Sequence, residues 1–144
     1  MRRFLYDTNV FIYALGRDHP HRQACRRVVD LAAEGVLRGE ASVELVQEFL
    51  HVRARRSGDR AEAVREAEAV ASLCTLHDLT ELDLHLALSL FARTGSIEAR
   101  DAIHAATALN RGIDAILSTD EDFDSVAGLE RISPETVEAF LLEG

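Results

Sequence analysis

The chain contains no lysine: all 16 of its basic residues are arginine. That absence removes every chemistry that depends on a lysine ammonium beside an acceptor carboxylate. No apolar run approaches the roughly 18 residues needed to span a bilayer. The N-terminal apolar stretch is broken by Asp7 and Asn9, without a small-residue cleavage site after it, so a secretory leader is not expected and the cytosol is the expected compartment. The two cysteines, Cys25 and Cys74, lie far apart with no second Cys or His at ligand spacing. A zinc site or disulfide scaffold is therefore not expected, and each thiol reads as a buried free cysteine on the apolar side of a helix. Internal repeats, low-complexity tracts and Pro/Gly-rich linkers are also missing, which leaves no visible domain boundary.

What is present is an ordinary globular balance, 47% apolar and 28% charged residues, in 144 residues that suffice for one domain with its own core. The net charge of −9 argues against a generic nucleic-acid binder, which needs a positive surface. The argument weakens if some carboxylates gather around cations, because a bound cation reverses the local field.

Periodicity and punctuation predict alternating helices and short strands. Arg3–Asp7 reads as a buried strand, followed by a helix over Val10–Leu15. Asp18-His19-Pro20 starts a second helix, with Pro20 in its first turn and Cys25, Val28, Val29 and Ala32 at helical spacing. A short strand falls within Val36–Ser42, and Val43–Arg56 is a helix whose core stripe is Val43, Val46, Phe49 and Leu50. Gly58-Asp59 interrupts it; Ala61–Cys74 continues with Val64, Ala67, Val70, Ala71 and Cys74 on one face. Thr75–Asp78 reads as a strand, Leu82–Arg93 as a helix stopped by Gly95, and Ala99–Arg111 as a helix stopped by Gly112. Strands at Ala115–Ser118 and Leu129–Ile132 precede a last helix opened by Ser133-Pro134-Glu135. Short apolar strands without a two-residue period, alternating with helices, indicate an α/β fold with a parallel sheet covered on both faces. In such sheets ligands bind beyond the carboxyl ends of the strands.

Two acids stand at such ends: Asp7 after the first strand and Asp120 after Leu117-Ser118-Thr119. Either alone is equally well a turn or helix cap. Glu48 lies inside a helix one turn after Glu44, where a solvated face carrying Glu44, Gln47, His51 and Arg55 is the plain alternative. Asp101 sits in the first turn of its helix, which the helix dipole alone would favour. His104, one turn on, is either a contact to the site or a packed structural histidine.

The segments Leu5-Tyr6-Asp7-Thr8-Asn9-Val10, Val46-Gln47-Glu48-Phe49, Arg100 to Ala108 and Leu117-Ser118-Thr119-Asp120-Glu121-Asp122-Phe123, in this order and spacing, resemble the successive signatures of the PIN-domain nucleases. The resemblance covers nearly the whole chain, and its size is that of the VapC-type ribonuclease toxins of bacterial toxin–antitoxin pairs. It implies an α/β/α sandwich around a short parallel sheet, here as one PIN domain over 1–144. By position it makes Asp7, Glu48, Asp101 and Asp120 the acids that bind Mg²⁺ or Mn²⁺ and carry catalysis. Thr119 falls on a hydroxyl position beside the site and Asn9 on a supporting polar one. Asp122 is ambiguous, since acids of this last segment share or exchange roles, while Glu121 and Asp124 read as solvated surface.

Four carboxylates in one cleft repel each other, and an all-oxygen shell suits a hard divalent ion that shares ligands with substrate phosphate. The implied reaction is hydrolysis of an RNA phosphodiester by a metal-activated water, without a covalent intermediate. Asp7 and Asp101 are its principal ligands, Glu48 holds a water or acts as base, and Asp120 serves a second ion. Arg53, Arg55, Arg56 and Arg60, with Arg22, Arg26 and Arg27, are candidate phosphate contacts, each equally explained as a solvated helix face. The resemblance further implies an antitoxin whose C-terminal segment covers the cleft, and a homodimer through apolar helix faces. A PIN-domain RNA-processing nuclease that is not a toxin, and a catalytically silent binding module, are the alternatives. Phosphoacceptor receiver domains and haloacid-dehalogenase-like phosphatases also place acids at strand ends, but both need a lysine, and the latter an Asp-x-Asp pair absent after the first strand.

Overall fold

The computed structural model describes residues 1–143. In chain order the elements are β1 (Leu5–Tyr6), α1 (Thr8–Leu15), α2 (Arg22–Ala33), β2 (Gly39–Ser42), α3 (Val43–Ser57), α4 (Arg60–Ser72), β3 (Cys74–His77), α5 (Glu81–Thr94), α6 (Ala99–Leu109), β4 (Ala115–Leu117), β5 (Glu130–Ile132) and α7 (Val137–Leu142). Single 3-10 turns at Glu121–Ser125 and Pro134–Thr136 precede β5 and α7.

All five strands are parallel, in the order β3-β2-β1-β4-β5. Successive strand residues serve opposite faces. Phe4, Tyr6, Ala41, Ala115 and Leu117 join one core with α1, α2, α3, α4 and α7. Leu5 and Ile116 join the other, with α5 and α6. Helices therefore cover both sides of the sheet, and both faces of the central strands β1 and β4 are apolar and buried, which is why no alternation marks them in the sequence. Strand order reverses at β1 and β4: the chain builds outward through β2 and β3, then returns to add β4 on β1's free side. That reversal opens a crevice at the carboxyl ends of β1 and β4.

The expected elements are present, with several physical corrections. Asp7 lies beyond β1 and caps α1, which begins at Thr8 rather than Val10. Pro20 precedes α2, where His19–Arg22 forms a turn, instead of standing in the helix's first turn. In α3 the deeply buried pair is Leu45 and Phe49, one turn apart, while Val43 is exposed. In α4 Ala63, Ala67 and Val70 face inward and Val64 outward, because small residues let α3 and α4 approach closely. Cys74 opens β3 instead of closing α4; it is half-buried, Cys25 is fully buried, and burial pushes both thiols up to about 12. No described helix is long and apolar enough to cross a membrane.

Two buried contacts fix the layers. Asp83 in α5 accepts hydrogen bonds from Arg111 (2.9 and 3.0 Å) and Asn110 (2.9 Å), tying α5 to the end of α6. These donors outweigh burial and hold its carboxyl well below the usual range. On the other face, Tyr6 and Phe4 pack edge to face with ring centroids 5.0 Å apart, directly over Gly39 of β2. A Cβ at Gly39 would stand 2.1 Å from the Tyr6 ring and 2.7 Å from that of Phe4. Gly39→Ala is therefore expected to force the rings apart and lower the unfolding free energy by about 1–3 kcal/mol, read as a lower urea midpoint. An unchanged midpoint would mean that the β1–β2 contact is looser than this packing requires.

Candidate active site

Four elements deliver polar side chains to the crevice between β1 and β4. Asp7 is nearly buried, and its two carboxylate oxygens have separate partners. Oδ1 accepts the Thr8 backbone N–H at 2.8 Å, and Oδ2 accepts the Ser118 hydroxyl at 2.6 Å. Its own N–H still donates to Leu117 O at 3.0 Å, so the carboxylate is fixed just where β1 leaves the sheet beside β4. Ser118 also accepts the Asp120 N–H at 2.9 Å, linking the ends of both strands through one hydroxyl. Asp120 Oδ1 in turn accepts the Asp122 N–H at 2.9 Å, capping the short turn that follows.

Glu48 reaches the same place from α3. Its Oε1 accepts the Thr8 hydroxyl and lies 3.4 Å from His104 Nε2, while Oε2 stands 3.5 Å from Arg100. His104 also lies 3.2 Å from Thr8 Oγ1, and its buried Nδ1 has no partner among the described residues. The imidazole is fully buried, so both accounts from the sequence hold together: it is packed, and it positions Glu48. Asp101 comes from the first turn of α6, where it accepts the Glu98 N–H at 3.2 Å. Asp7, Glu48, Asp101 and Asp120 line one cleft of about 280 Å³, with Asn9, Arg56 and Arg100 on its walls.

The electrostatics of this cleft are unbalanced. Burial, with the charges of Asp7 and Asp120 added to it, pushes the Asp101 carboxyl up to about 6. Burial also raises Asp7, helped by Glu48 and opposed by His104 and Ser118. Glu48 goes the other way: burial would raise it, but hydrogen bonds from His104 and Thr8 and the charge of Arg100 prevail. His104 is raised because Glu48, Asp7 and Asp101 outweigh the burial that would lower it. No three His, Cys, Asp or Glu side chains among the described residues are already drawn to metal-bonding distance. The fit to a cation rests on charge and donor type: two buried carboxylates resist ionisation for want of positive charge, and every acid offers hard oxygen.

Of the residues singled out in the sequence, Asp7, Glu48, Asp101 and Asp120 come together in this one cleft. Asn9 bridges β1 and β4 through long contacts of 3.5 Å to Ser118 and the Thr119 N–H. Thr119 and Asp122 line an adjoining groove rather than the cleft itself. Thr8 and Ser118 were passed over in the sequence; a hydroxyl beside an acid carries no signal until the strands are paired. Of the candidate phosphate contacts, only Arg56 reaches the cleft. Arg53 is held by Glu66 through two 3.1 Å bonds, Arg27 by Glu138, and Arg26 donates to Ala14 O.

The family model for the PIN domain matches residues 4–129. Ribonuclease VapC7 of Mycobacterium tuberculosis is 34% identical over 131 residues, covering 90% of each chain. The chain belongs to the PIN-domain family, among the VapC ribonucleases. The PIN fold is shared with the crystal structure of the sarcin–ricin-loop-cleaving toxin VapC20 of M. tuberculosis: TM-score 0.70, 19% identity, 86% of this chain and 95% of that one. It is shared too with DNA-bound VapBC from Salmonella typhimurium (TM-score 0.69, 18% identity, 93% and 99% coverage). The α/β/α arrangement expected from the sequence is thus the PIN arrangement, with Asp7 and Asp120 just beyond the ends of β1 and β4 and Glu48 and Asp101 brought to them by α3 and α6.

The raised Asp101 gives a test with a definite sign. Its folded value lies above the ordinary carboxylate value near 4, so ionisation costs folding free energy as pH rises from about 4 to about 6. Asp101→Asn is expected to stabilise the metal-free PIN domain by about 1–3 kcal/mol at pH 7 and to change nothing below pH 4. Thermal melts with chelator across this range check it; equal melting temperatures at pH 7 would mean that Asp101 ionises freely. Ser118→Ala, which removes a donor to Asp7, is expected to weaken Mn²⁺ binding by about 10–100-fold, measured by electron paramagnetic resonance titration.

Proposed function

We propose that residues 1–144 act as one PIN domain that is a metal-dependent endoribonuclease, the toxin of a toxin–antitoxin pair. The observation that carries the reading is the convergence of Asp7, Glu48, Asp101 and Asp120 on one cleft at the β1–β4 crevice, where burial and the charges of Asp7 and Asp120 push the Asp101 carboxyl up to about 6. Such a cluster is costly to the fold and is repaid when it binds a cation with a substrate phosphate. Membership among the VapC ribonucleases supports RNA as substrate.

When bound, a Mg²⁺ or Mn²⁺ ion supplies charge to the scissile phosphate and acidity to the attacking water. Asp7 and Asp101 are the side chains to hold it, Asp7 pre-aimed by the Thr8 N–H and the Ser118 hydroxyl. Glu48, whose carboxyl is lowered by hydrogen bonds from His104 and Thr8 and by the charge of Arg100, would hold the attacking water or take its proton. Asp120 completes the acid ring at the end of β4. Arg56 and Arg100 on the cleft wall steer the neighbouring phosphates.

Solved structures from Klebsiella pneumoniae, TM-score 0.65, and nontypeable Haemophilus influenzae, TM-score 0.68, are of a toxin–antitoxin complex and of VapBC-1. They support a cognate antitoxin here too, its C-terminal segment offering a basic side chain to the negative cleft. Leu84, Leu88 and Phe91, exposed at successive turns of α5, support a homodimer through an apolar helix face.

Asp7→Asn is nearly isosteric and keeps the acceptor for the Thr8 N–H. It is expected to preserve the circular-dichroism spectrum and melting behaviour while lowering cleavage of total RNA by at least about a hundredfold. Chelator should abolish wild-type cleavage, and Mg²⁺ or Mn²⁺ restore it. Equal cleavage by wild type and variant would sink the proposed site; metal-independent cleavage would sink the proposed chemistry.

A further inference from the structure

Beside the acid cleft lies a second, larger groove of about 860 Å³ that shares Asn9, Tyr13 and Asp120 with it. The two are therefore continuous, and the groove offers a path for one flank of a polynucleotide whose phosphate sits at the acids. Its floor is aromatic. Tyr13 and His19 stack with ring centroids 4.1 Å apart and planes 15° from parallel. His21 lies 5.4 Å from His19 and 5.8 Å from Tyr13. In a three-ring sandwich Tyr13 and His21 would be separated by nearly the sum of the other two distances, so His21 stands beside the pair and does not cover the outer face of His19. His19 is exposed, and its Nδ1 accepts the His21 N–H at 3.2 Å, which fixes the ring's setting.

The polar lining is rich in acceptors. Glu121 and Asp122 bring exposed carboxylates to the wall. The cations of the groove are already engaged: Arg131 donates to Asp124 at 2.9 Å and to Ser118 O at 3.2 Å, and His21 lies 2.9 Å from Glu135. A phosphate would meet repulsion here. A nucleobase would not, since its ring stacks on an aromatic face and its amino edge donates to carboxylates.

We propose that this groove is a nucleobase subsite: the base of the nucleotide flanking the scissile phosphate stacks on His19 and donates its exocyclic amino group to Glu121 and Asp122. The subsite rests on the ribonuclease reading above and deepens it, by making the enzyme favour cytosine, adenine or guanine over uracil at that flank. Uracil places a carbonyl where cytosine has its amino group, and a carbonyl facing a carboxylate is repelled.

Two measurements test it. In the first, the His ring protons of the metal-free chain are followed by nuclear magnetic resonance, with His19 assigned from His19→Ala, as cytidine, uridine or argininamide is added. Neither nucleoside carries a phosphate, so the response does not depend on phosphate binding at the acid cleft. Cytidine should move the His19 protons upfield at a concentration about fivefold or more below uridine. Equal responses, or a response to argininamide alone, would overturn the proposal, the latter pointing to a basic peptide as the occupant. In the second, RNAs differing only in the base that flanks one cleavage site are compared. Glu121→Gln combined with Asp122→Asn, which replaces the discriminating carboxylates, should lower the preference against uracil about five- to a hundredfold. His19→Ala should raise KM for every flanking base, and His19→Phe, which keeps a stacking ring, should restore it. A preference unchanged in the double carboxamide variant, or a KM unchanged in His19→Ala, overturns the subsite. Should the wild type cleave no RNA, the ribonuclease reading fails, while the nucleoside titration still decides the subsite.

Discussion

The carboxylate of Asp7 is pinned between two parallel strands by a backbone N–H on one oxygen and the Ser118 hydroxyl on the other. Around that buried charge the rest of the site is arranged. Thr8, whose N–H serves Asp7, turns its hydroxyl to Glu48; His104 bridges Thr8 and Glu48; Ser118 passes its lone pair to the Asp120 N–H. Each link uses a group that must find a partner once it is buried, so the chain of contacts is held by the cost of leaving any member unpaired. The network leaves one cost open: Asp7, Asp101 and Asp120 lie too close for their charges, and Asp101 holds its proton up to about pH 6.

That open cost connects fold to function. The central strands β1 and β4 are apolar and buried on both faces, so they can present polar groups only at their ends. The reversal of strand order between β1 and β4 opens one such end. α3 and α6, packed on opposite faces, each bring one acid to it: Glu48 from the side of the larger core, and Asp101 from the side of α5 and α6. A site assembled from both layers keeps its spacing only while both layers are seated. The Asp83–Arg111 contact and the close approach over Gly39 therefore matter to chemistry far from them.

Much of this was readable beforehand. Asp7 and Asp120 follow apolar strands, and the four segments in order resembled PIN nucleases, which made the fold and the four acids legible. The glycine stop at Gly95 is local chemistry, and the helix before it ends at Thr94; the helix expected to run to Arg111 before Gly112 ends at Leu109. Less legible was the buried face of each helix. Val43 and Val64 fit an apolar stripe but point outward, since the inward positions went to Leu45 and Ala63, and hydrophobicity alone does not rank which of two adjacent stripes meets the core. The net charge misled in the opposite direction, because the excess acids include those that the cleft gathers.

By itself the sequence determined the kind of fold and the order of its elements, because these depend on local periodicity, capping and residue type; the four acids it singled out only through resemblance to PIN-domain nucleases. Only the tertiary structure decided which neighbours serve those acids. Ser118 and Thr8 are unremarkable hydroxyls until β1 and β4 pair, His104 is ambiguous until α3 and α6 meet across the sheet, and the arginines sort into Arg56 at the cleft and Arg53 against Glu66 only when α4 packs. Hydrogen bonds and charges act across distances of a few ångströms, and residues that far apart in the sequence acquire those distances only through packing.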